Sequence, residues 1–362
     1  MSKKNVLLIS FLAVSITLYA EAPELRNVMP NSWRKATKLT VNEEQVFARE
    51  NEAAFVKMRK SLQDFDLGWG DDRKYEYYTI YKQEVGTDTF YRVLWTDSNR
   101  PNFLSPNIRF YQSLVYKNTL LIGSTYNGTI AVQRGSLGTF SCIDIISDRE
   151  KAKGILITKL SIQRDLFNDD DNPTEWSRGA PRKKGQLYGG TRCTYYLMKD
   201  VEKIMGMKFY SDVIHLSERL TGIDINASAC LVDPNIPLRY SLQNAFDGDP
   251  STSYVENTED DLFRIEFTGR NLPKIEKIAV INGYAQDRAL YEANNRIKSI
   301  ISFGHTILLN DGVLSYQYVT ENAGLFFIAK EIYRGSRYND TCLAGLNFLT
   351  EDGWLFGDID EQ

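Results

Sequence analysis

The pattern of apolar and polar positions near the start of the chain predicts a helix. Apolar residues recur at three- and four-residue spacing over residues 43–65, which is typical of an amphipathic helix. These positions are Phe47, Ala54, Met58, Leu62 and Phe65. Asn42 is expected to cap the helix, with Gln45 at the capping-box position. Because the polar face carries charges of both signs, we expect core packing and not membrane attachment.

A long run of strands is expected next, because residues 75–161 are rich in aromatic and β-branched residues. Turn residues occur at Gly86 and within 99–101, 126–128 and 134–135. The predicted strands cover residues 75–81, 90–95, 108–116, 120–124, 129–133 and 155–162. The pattern therefore predicts a β-rich module, without specifying its topology.

Residues 163–192 have the composition of a long loop, and helical spacing follows at 194–207 and 211–220. The acidic run at 168–173 concentrates the oxygen ligands that Ca²⁺ prefers. It lacks the glycine and the distant Glu of an EF-hand loop, so we expect a solvated loop there.

The length of 362 residues favours two domains. We predict a mainly β protein with an N-terminal β-rich α+β domain at residues 21–225. A second β domain is expected at 226–352, followed by a C-terminal tail at 353–362.

Composition and charge narrow the function classes. The chain is 43% hydrophobic and 25% charged, as in a soluble globular protein, and its 21 Tyr and 18 Phe suit β-rich packing. The net charge is −4, and removing the first 20 residues with Lys3 and Lys4 gives −6. Nucleic acid is not an expected partner, because sequence-independent binding needs a basic face.

Residues 1–20 have the pattern of a secretory signal peptide. Two lysines precede an apolar stretch from Val6 to Leu18 that is too short for a comfortable membrane span. Cleavage is expected after Ala20, and an uncleaved membrane anchor is the alternative. We therefore expect a periplasmic or secreted bacterial protein with no transmembrane segment in the mature chain.

The sequence identifies no catalytic residues. The two histidines, His215 and His305, are not spaced as metal ligands, and there is no Walker-type phosphate loop or GxSxG elbow. Cys142 with His215 is the one conceivable nucleophile–base pair, and nothing local supports it. A carboxylate pair of the glycosidase type is an open alternative that the sequence does not locate.

The most informative run is SLQNAFDGDPSTSYVE at residues 241–256, in which an apolar anchor precedes a tight turn. Further blocks follow in order, namely RIEF at 264–267, INGY at 281–284, YEANNRIK at 291–298 and EIYRGSRYNDTC at 331–342. Together, over about residues 226–350, they resemble discoidin-like (F5/8 type C, galactose-binding-like) domains of the NADase-type glycan-binding subgroup. That subgroup is named after the domain that accompanies the catalytic part of a streptococcal NAD glycohydrolase and helps its translocation. Residues 21–225 resemble no family that we can name.

The resemblance implies a jelly-roll-like β-sandwich that binds carbohydrate on its rim loops. Residues of suitable type for an aromatic platform with planar polar groups are Tyr254, Asn282, Tyr284, Tyr291, Asn294, Arg296 and Arg337. Tyr284 and Tyr291 are the better ligand candidates. For Arg296, pairing with a loop acid is the favoured alternative.

The resemblance also implies a structural Ca²⁺ held by Asp247, Asp249 and Thr252. The Glu expected from the last strand is replaced by Gly345, so a turn held by its own Asx hydrogen bonds is an equal alternative.

Cysteine pairing is expected because an exported chain with four Cys favours disulfides. In discoidin-like domains a disulfide often ties the first and last strands. The resemblance thus implies a disulfide between Cys230 and Cys342, which leaves Cys142 to pair with Cys193. Four buried thiols are the alternative.

These observations predict an exported, non-catalytic protein that binds carbohydrate or another cell-envelope component through its C-terminal module. One alternative is an exported enzyme with catalysis in residues 21–225 and the C-terminal module as a targeting domain. Another is a structural envelope protein whose module contacts a protein partner.

Overall fold

The computed structural model describes residues 33, 36–55, 77–96, 109–127, 138–148, 151–164, 187–205, 222–233, 236–270, 272–302, 304–319, 324 and 326–359. Several predictions lie outside these residues: the signal peptide at 1–20, the second part of the first helix, the strand at 129–133, the acidic loop, the helix at 211–220 and His215. In the ranges above, no helix has the length and apolar character needed to cross a membrane.

The first helix, α1, spans Val41–Glu50 and is capped by Thr40, not by Asn42 as predicted. The Thr40 side-chain oxygen accepts a hydrogen bond from the Glu43 backbone, and the Glu43 carboxylate accepts one from the Thr40 backbone N–H at 2.7 Å. Two orphan donors of the first turn are thereby satisfied reciprocally, and Asn42 falls inside the helix. Phe47 packs against Tyr91 with ring centroids 4.2 Å apart, so α1 lies on the sheet as its apolar face predicts.

A meander of antiparallel strands forms the N-terminal part. Its members are β1 (Thr37–Lys38), β2 (Tyr77–Val85), β3 (Asp88–Thr96), β4 (Arg109–Tyr116), β5 (Thr119–Asn127), β6 (Gly138–Ser147), β7 (Ala152–Arg164) and β8 (Leu187–Leu197). Each strand pairs with the next one in the chain. The predicted turn at Gly86 joins β2 to β3 with a φ of 59°. The turn predicted at 126–128 is wrong for Tyr126 and Asn127, which lie in β5.

The region around β8 corrects two predictions. Leu187 to Arg192 belong to this strand and not to a loop, and Thr194 to Leu197 are its end and not the start of a helix. The second helix, α2, spans Met198–Met205. Thr194, Tyr195 and Tyr196 are β-branched or aromatic and pair in register with β7, so sheet pairing outweighs the apolar spacing that suggested a helix.

The C-terminal part contains a β-sandwich, as the resemblance predicts. Its strands are β9 (Ile223–Ala227), β10 (Cys230–Leu231), β11 (Tyr254–Val255), β12 (Arg264–Thr268), β13 (Lys277–Asn282), β14 (Arg296–Ser302), β15 (His305–Leu308), β16 (Gln317–Val319), β17 (Phe326–Tyr333), β18 (Cys342–Thr350) and β19 (Gly353–Trp354). A 3₁₀ helix spans Leu242–Ala245 and a third helix, α3, spans Arg288–Ala293. A five-stranded sheet in the order β11-β18-β13-β16, with β19 on β18, faces the strands β9-β12-β17-β14-β15. The mainly β fold class is therefore confirmed.

The meander and the sandwich share one sheet and one core. β9 pairs with β8 on one side and with β12 on the other, so the boundary expected at 225/226 falls inside a strand. The core cluster contains Tyr195 from the meander together with Phe246 and Phe348 from the sandwich. Phe356, expected in a tail, is buried with its ring 5.0 Å from Tyr195 and 4.5 Å from Phe246. Residues up to 359 are thus part of the folded unit.

The predicted disulfides are absent, because all four cysteines are buried free thiols: Cys142, Cys193, Cys230 and Cys342. Thr158 of β7 pairs with both Cys142 and Cys193, so a whole strand separates that pair. In the other pair, Cys230 bridges to Glu256 and Cys342 pairs with Val255. Two strand spacings of about 4.8 Å each exceed the roughly 7 Å between Cα atoms that a disulfide can span.

Candidate functional site

The loop predicted to bind Ca²⁺ is a turn held by its own hydrogen bonds. The Asp247 carboxylate accepts from the Asp249 backbone N–H at 2.9 Å, and the Asp249 carboxylate accepts from the Ser251 N–H at 2.8 Å. The Thr252 hydroxyl lies 2.8 Å from an Asp247 carboxylate oxygen and 3.0 Å from the Asp249 carbonyl oxygen. The three predicted ligands are therefore together, with their polar atoms engaged in Asx-type bonds.

The donor set of this turn fits a cation poorly. Burial raises the pKa of Asp247 to about 8, and the nearby Asp249 and Asp144 charges add to this effect. Among the residues described, no group of three His, Cys, Asp or Glu side chains could hold a metal. The Ca²⁺ site stays a prediction, and the geometry favours the metal-free turn.

Gly345 explains why no carboxylate completes the site from the last strand. It pairs with Ile281 across β18 and β13, and a Cβ atom at Gly345 would lie 2.9 Å from Ile281 Cγ1. A glutamate side chain would have to displace Ile281. Gly345 therefore allows the two strands to pack closely and does not supply a ligand.

Two predicted ligand residues lie in the interior of the sandwich. Tyr254 is fully buried, stacks edge-on against Phe263 and donates its hydroxyl to the Ser228 carbonyl oxygen at 3.0 Å. Asn282 is also fully buried, and its amide donates to the Ile297 carbonyl at 2.7 Å and accepts from the Ile297 N–H at 2.8 Å. Both side chains are occupied in joining strands, so neither faces a ligand.

Three further predicted ligand residues form a buried polar network. Arg296 reaches both carboxylate oxygens of Asp311 at 3.2 and 2.9 Å, and it donates to the backbone of Asn294 at 3.1 Å. Tyr291 donates to Asp311 at 3.0 Å and has its ring below the Arg296 guanidinium. The Asn294 side chain donates to the Leu290 carbonyl at the end of α3. Arg296 therefore pairs with a loop acid, which is the alternative stated for it above. Tyr291 belongs to the same network.

Tyr284 has a different environment, on the rim of the sandwich. It is half-buried, and burial raises the pKa of its phenol, with the neighbouring Tyr240 hydroxyl adding to this and Arg239 opposing it. Arg239 lies 5.4 Å from the Tyr240 ring centroid and 3.0 Å from an Asp233 carboxylate oxygen. We call Arg239, Tyr240 and Tyr284 the rim patch. Arg239 and Tyr240 were not predicted, because they lie 45 and 44 residues before Tyr284 along the chain.

Arg337, the last predicted ligand residue, is exposed on the loop between β17 and β18. Its guanidinium lies 5.0 Å from the ring centroid of Tyr338, which is 39% exposed. The neighbouring Arg334 makes an ion pair with Asp261. This loop therefore also presents an aromatic ring and a cation to solvent.

A groove of about 680 Å³ on the sandwich was not predicted. It runs between β15 and β16 and is lined by His305, Leu308, Asn310, Tyr316, Gln317 and Tyr318, among others. Leu308 is 71% exposed and Tyr318 is 38% exposed. All its lining residues lie within 305–319, and its two walls, β15 and β16, belong to different sheets.

Comparisons with known proteins support the resemblance of the C-terminal part. Residues 219–349 match the family described as NAD glycohydrolase translocation F5/8 type C domain. No curated protein matches the chain. Among solved structures, an arabinofuranosyltransferase from Mycobacteria aligns with 15% identity, 52% of this chain, 14% of its own chain and a TM-score of 0.29, which supports no conclusion.

The surface features of the sandwich lie within the residues of the family match. The rim patch, the Tyr338 loop and the groove are carried by strands and loops between residues 219 and 349. Residues 219–349 of this chain are therefore a discoidin-like domain of the NAD glycohydrolase translocation F5/8 type C family, which indicates a module for binding carbohydrate or protein.

Proposed function

We propose that the protein is exported and binds carbohydrate of a cell envelope, without catalysis, through the rim patch of its C-terminal sandwich. The observation that carries this proposal is the juxtaposition of two half-buried tyrosines, Tyr240 and Tyr284, with the guanidinium of Arg239. Carbohydrate sites in proteins combine apolar or aromatic surface with a few well-placed polar groups. Among the predicted ligand residues of the sandwich, Tyr284 and Arg337 both join such a combination at the surface, and that of Tyr284 has two tyrosine rings beside the guanidinium.

The rim patch is rigid enough to act as a platform. Arg239 is held by Asp233, and the Asp233 carboxylate also accepts the Ile236 N–H at 3.2 Å. Tyr240 accepts the Val255 N–H through its backbone carbonyl at 3.2 Å. Because the Arg239 side chain and the Tyr240 backbone are already held, binding would lose less conformational entropy there.

Export rests on the signal-like segment at residues 1–20, and the buried thiols are compatible with it. Burial raises the pKa of Cys193 to about 12 and that of Cys230 to about 11. Because the thiolate is the reactive form, such thiols resist oxidation in an oxidising compartment. Sequencing the N-terminus of the protein recovered from a secreting host should give Glu21, and an unprocessed Met1 would contradict export by cleavage.

A glycan array probed with the full chain tests the binding function, with Ca²⁺ and again with chelator. We expect selective binding that Tyr284→Ala weakens about tenfold or more and that chelator leaves unchanged. Tyr318→Ala is the control, because it removes a surface tyrosine of the sandwich that lies in the groove and not in the rim patch. Loss of binding in Tyr318→Ala alone would move the site to the groove. Failure to bind any glycan would contradict the proposal and favour a protein partner.

A further inference from the structure

The meander contains a buried arginine at a position where its neighbours are apolar. Arg92 of β3 is 1% exposed and shares a face of the strand with Phe90 and Leu94. Its cross-strand partners are Tyr81 in β2 and Leu114 in β4, and both belong to the same hydrophobic cluster. A fully charged side chain therefore points into a core.

In the described part of this core, the guanidinium group has no oxygen acceptor within hydrogen-bond distance. Its three nitrogen atoms all lack such a partner among the residues that the structure describes. Its Cζ lies 4.4 Å from the centroid of the Trp33 ring, and the Trp33 indole N–H, also buried, is likewise unpartnered there. Two side chains in contact thus present hydrogen-bond donors and no acceptor.

The polar group that remains beside the guanidinium is the Cys142 thiol. The positive charge of Arg92 and its hydrogen bond to the sulfur oppose the burial that raises the pKa of this thiol, and the nearby Asp144 charge reinforces that rise. Burial leaves that thiol protonated and neutral, so it is no counter-ion. A buried cation without a partner is strongly unfavourable, and proteins retain such a group when a second charge completes it.

We propose that Arg92 and Trp33 form an internal binding site for an oxyanion, namely the carboxylate or phosphate group of a small ligand. A planar guanidinium matches two oxygen atoms of either group, which strengthens the contact and fixes its orientation. The Trp33 N–H supplies a further donor, and the Trp33 ring holds the guanidinium from its face. This site belongs to the meander and is independent of the carbohydrate proposed for the rim patch.

Thermal unfolding of the full chain tests this site. Because the site is closed, the protein is refolded from urea in inorganic phosphate, in acetate or in chloride at one ionic strength. Either oxyanion should raise Tm by several degrees above chloride in a saturating manner, as expected when a ligand binds only the folded state. The salt that gives the larger rise in Tm, phosphate or acetate, indicates whether the site prefers a phosphate or a carboxylate group. Equal Tm values in all three salts would overturn the proposal.

Two variants and one control connect the effect to the site. Arg92→Met should fold and show no oxyanion effect, because methionine removes the unpaired charge and keeps the apolar contacts. Trp33→Phe keeps the ring and removes one donor, so it should raise the half-saturating phosphate or acetate concentration several-fold. Arg264→Met, at an exposed arginine near the Phe326 ring, should keep the full effect. An oxyanion effect that persists in Arg92→Met, or failure of that variant to fold, would show that Arg92 is paired within the protein.

Discussion

The meander and the sandwich are both antiparallel β structures, and they are assembled in opposite ways. In the meander, β2 to β8 each pair with the next strand along the chain. In the sandwich, β9 pairs with β12, β14 with β17 and β13 with β18, so long connections separate the partners. Local hairpins fix their register through their turns, whereas distant strands need other contacts to select the right partner.

Buried polar side chains supply those contacts in the sandwich. Asn282 joins β13 to the start of β14, and Asn295 joins the end of α3 to Asn339 and Gly335 in the loop before β18. Each bond connects segments that are far apart in the chain, and a wrong pairing would leave these amides unsatisfied. The comparison teaches that polar residues of ligand-binding type can serve to specify pairing.

The largest expected effect is the loss of such a contact. Glu256 is fully buried, and its carboxylate accepts the Thr258 hydroxyl at 2.6 Å and the Thr341 N–H at 3.0 Å. Glu256→Ala should lower the free energy of unfolding by about 3–5 kcal/mol, because buried donors lose their acceptor. Urea unfolding measures this. Glu266→Ala, at an exposed position of β12, should change it by less than about 0.5 kcal/mol. Equal losses of unfolding free energy in the two variants would contradict the larger role of the buried Glu256 contact.

A pH dependence of the sandwich follows from Asp247. Burial raises its pKa from 3.8 to about 8, so the folded state keeps a proton that the unfolded chain releases. The stability contributed by the protonated carboxyl is fully present below about pH 4 and is lost as pH rises toward 8. Asp247→Asn should flatten this decline, by on the order of 2 kcal/mol across the window. Urea midpoints between pH 4 and 8 measure it. An unchanged slope would contradict a protonated Asp247 in the folded state.

Packing at Gly345 gives a smaller effect. Gly345→Ala should lower the free energy of unfolding by about 1–3 kcal/mol, because the new Cβ meets Ile281 at 2.9–3.1 Å. The double variant with Ile281→Ala should be less unstable than the sum of the single variants. A double-mutant cycle from urea unfolding measures this coupling. Strict additivity would mean that Ile281 is not the obstacle.

The smallest effect is expected at the helix of the meander. Thr40→Ala removes the cap of α1 and should lower the free energy of unfolding by about 1 kcal/mol. Asn42→Ala, inside the first turn, is the matched control and should change stability by less than about 0.5 kcal/mol. Chemical denaturation of the two variants side by side shows whether Thr40 or Asn42 caps the helix. A larger loss in Asn42→Ala would restore the cap that the sequence predicted.

Local patterns were reliable where the structure is local. The strands around 90–95 and 108–116 and the turn at Gly86 depend on residues close in the chain, and their prediction is confirmed. The error at Thr194 to Leu197 has the opposite cause, since pairing with β7 lies outside any local window. The cap at Thr40 was missed although Thr-Val-Asn-Glu has capping-box spacing, because Asn42 stands nearer to the periodic apolar residues.

In the candidate site, residue type alone does not tell which side chains face solvent. Tyr254, Tyr291 and Tyr284 have the same chemistry, yet the first two are buried and the third is on the rim. The partners of Tyr284 in the rim patch come from the segment before the 3₁₀ helix and have no spacing relation to it. Burial depends on which loops meet, and this was not predictable from single positions.

The sequence by itself determined the mainly β class, the helix near the start and the discoidin-like module at the C-terminus. These depend on periodicity, turn residues and the order of short blocks, all of which can be read directly from the order of residues in the chain. Only the tertiary structure decided that the meander and the sandwich share a sheet, that the four thiols stay apart and that Arg92 is buried with no oxygen acceptor for its guanidinium nitrogens in the described part of the chain. Each of these depends on distances between residues far apart in the chain, which packing and strand register set.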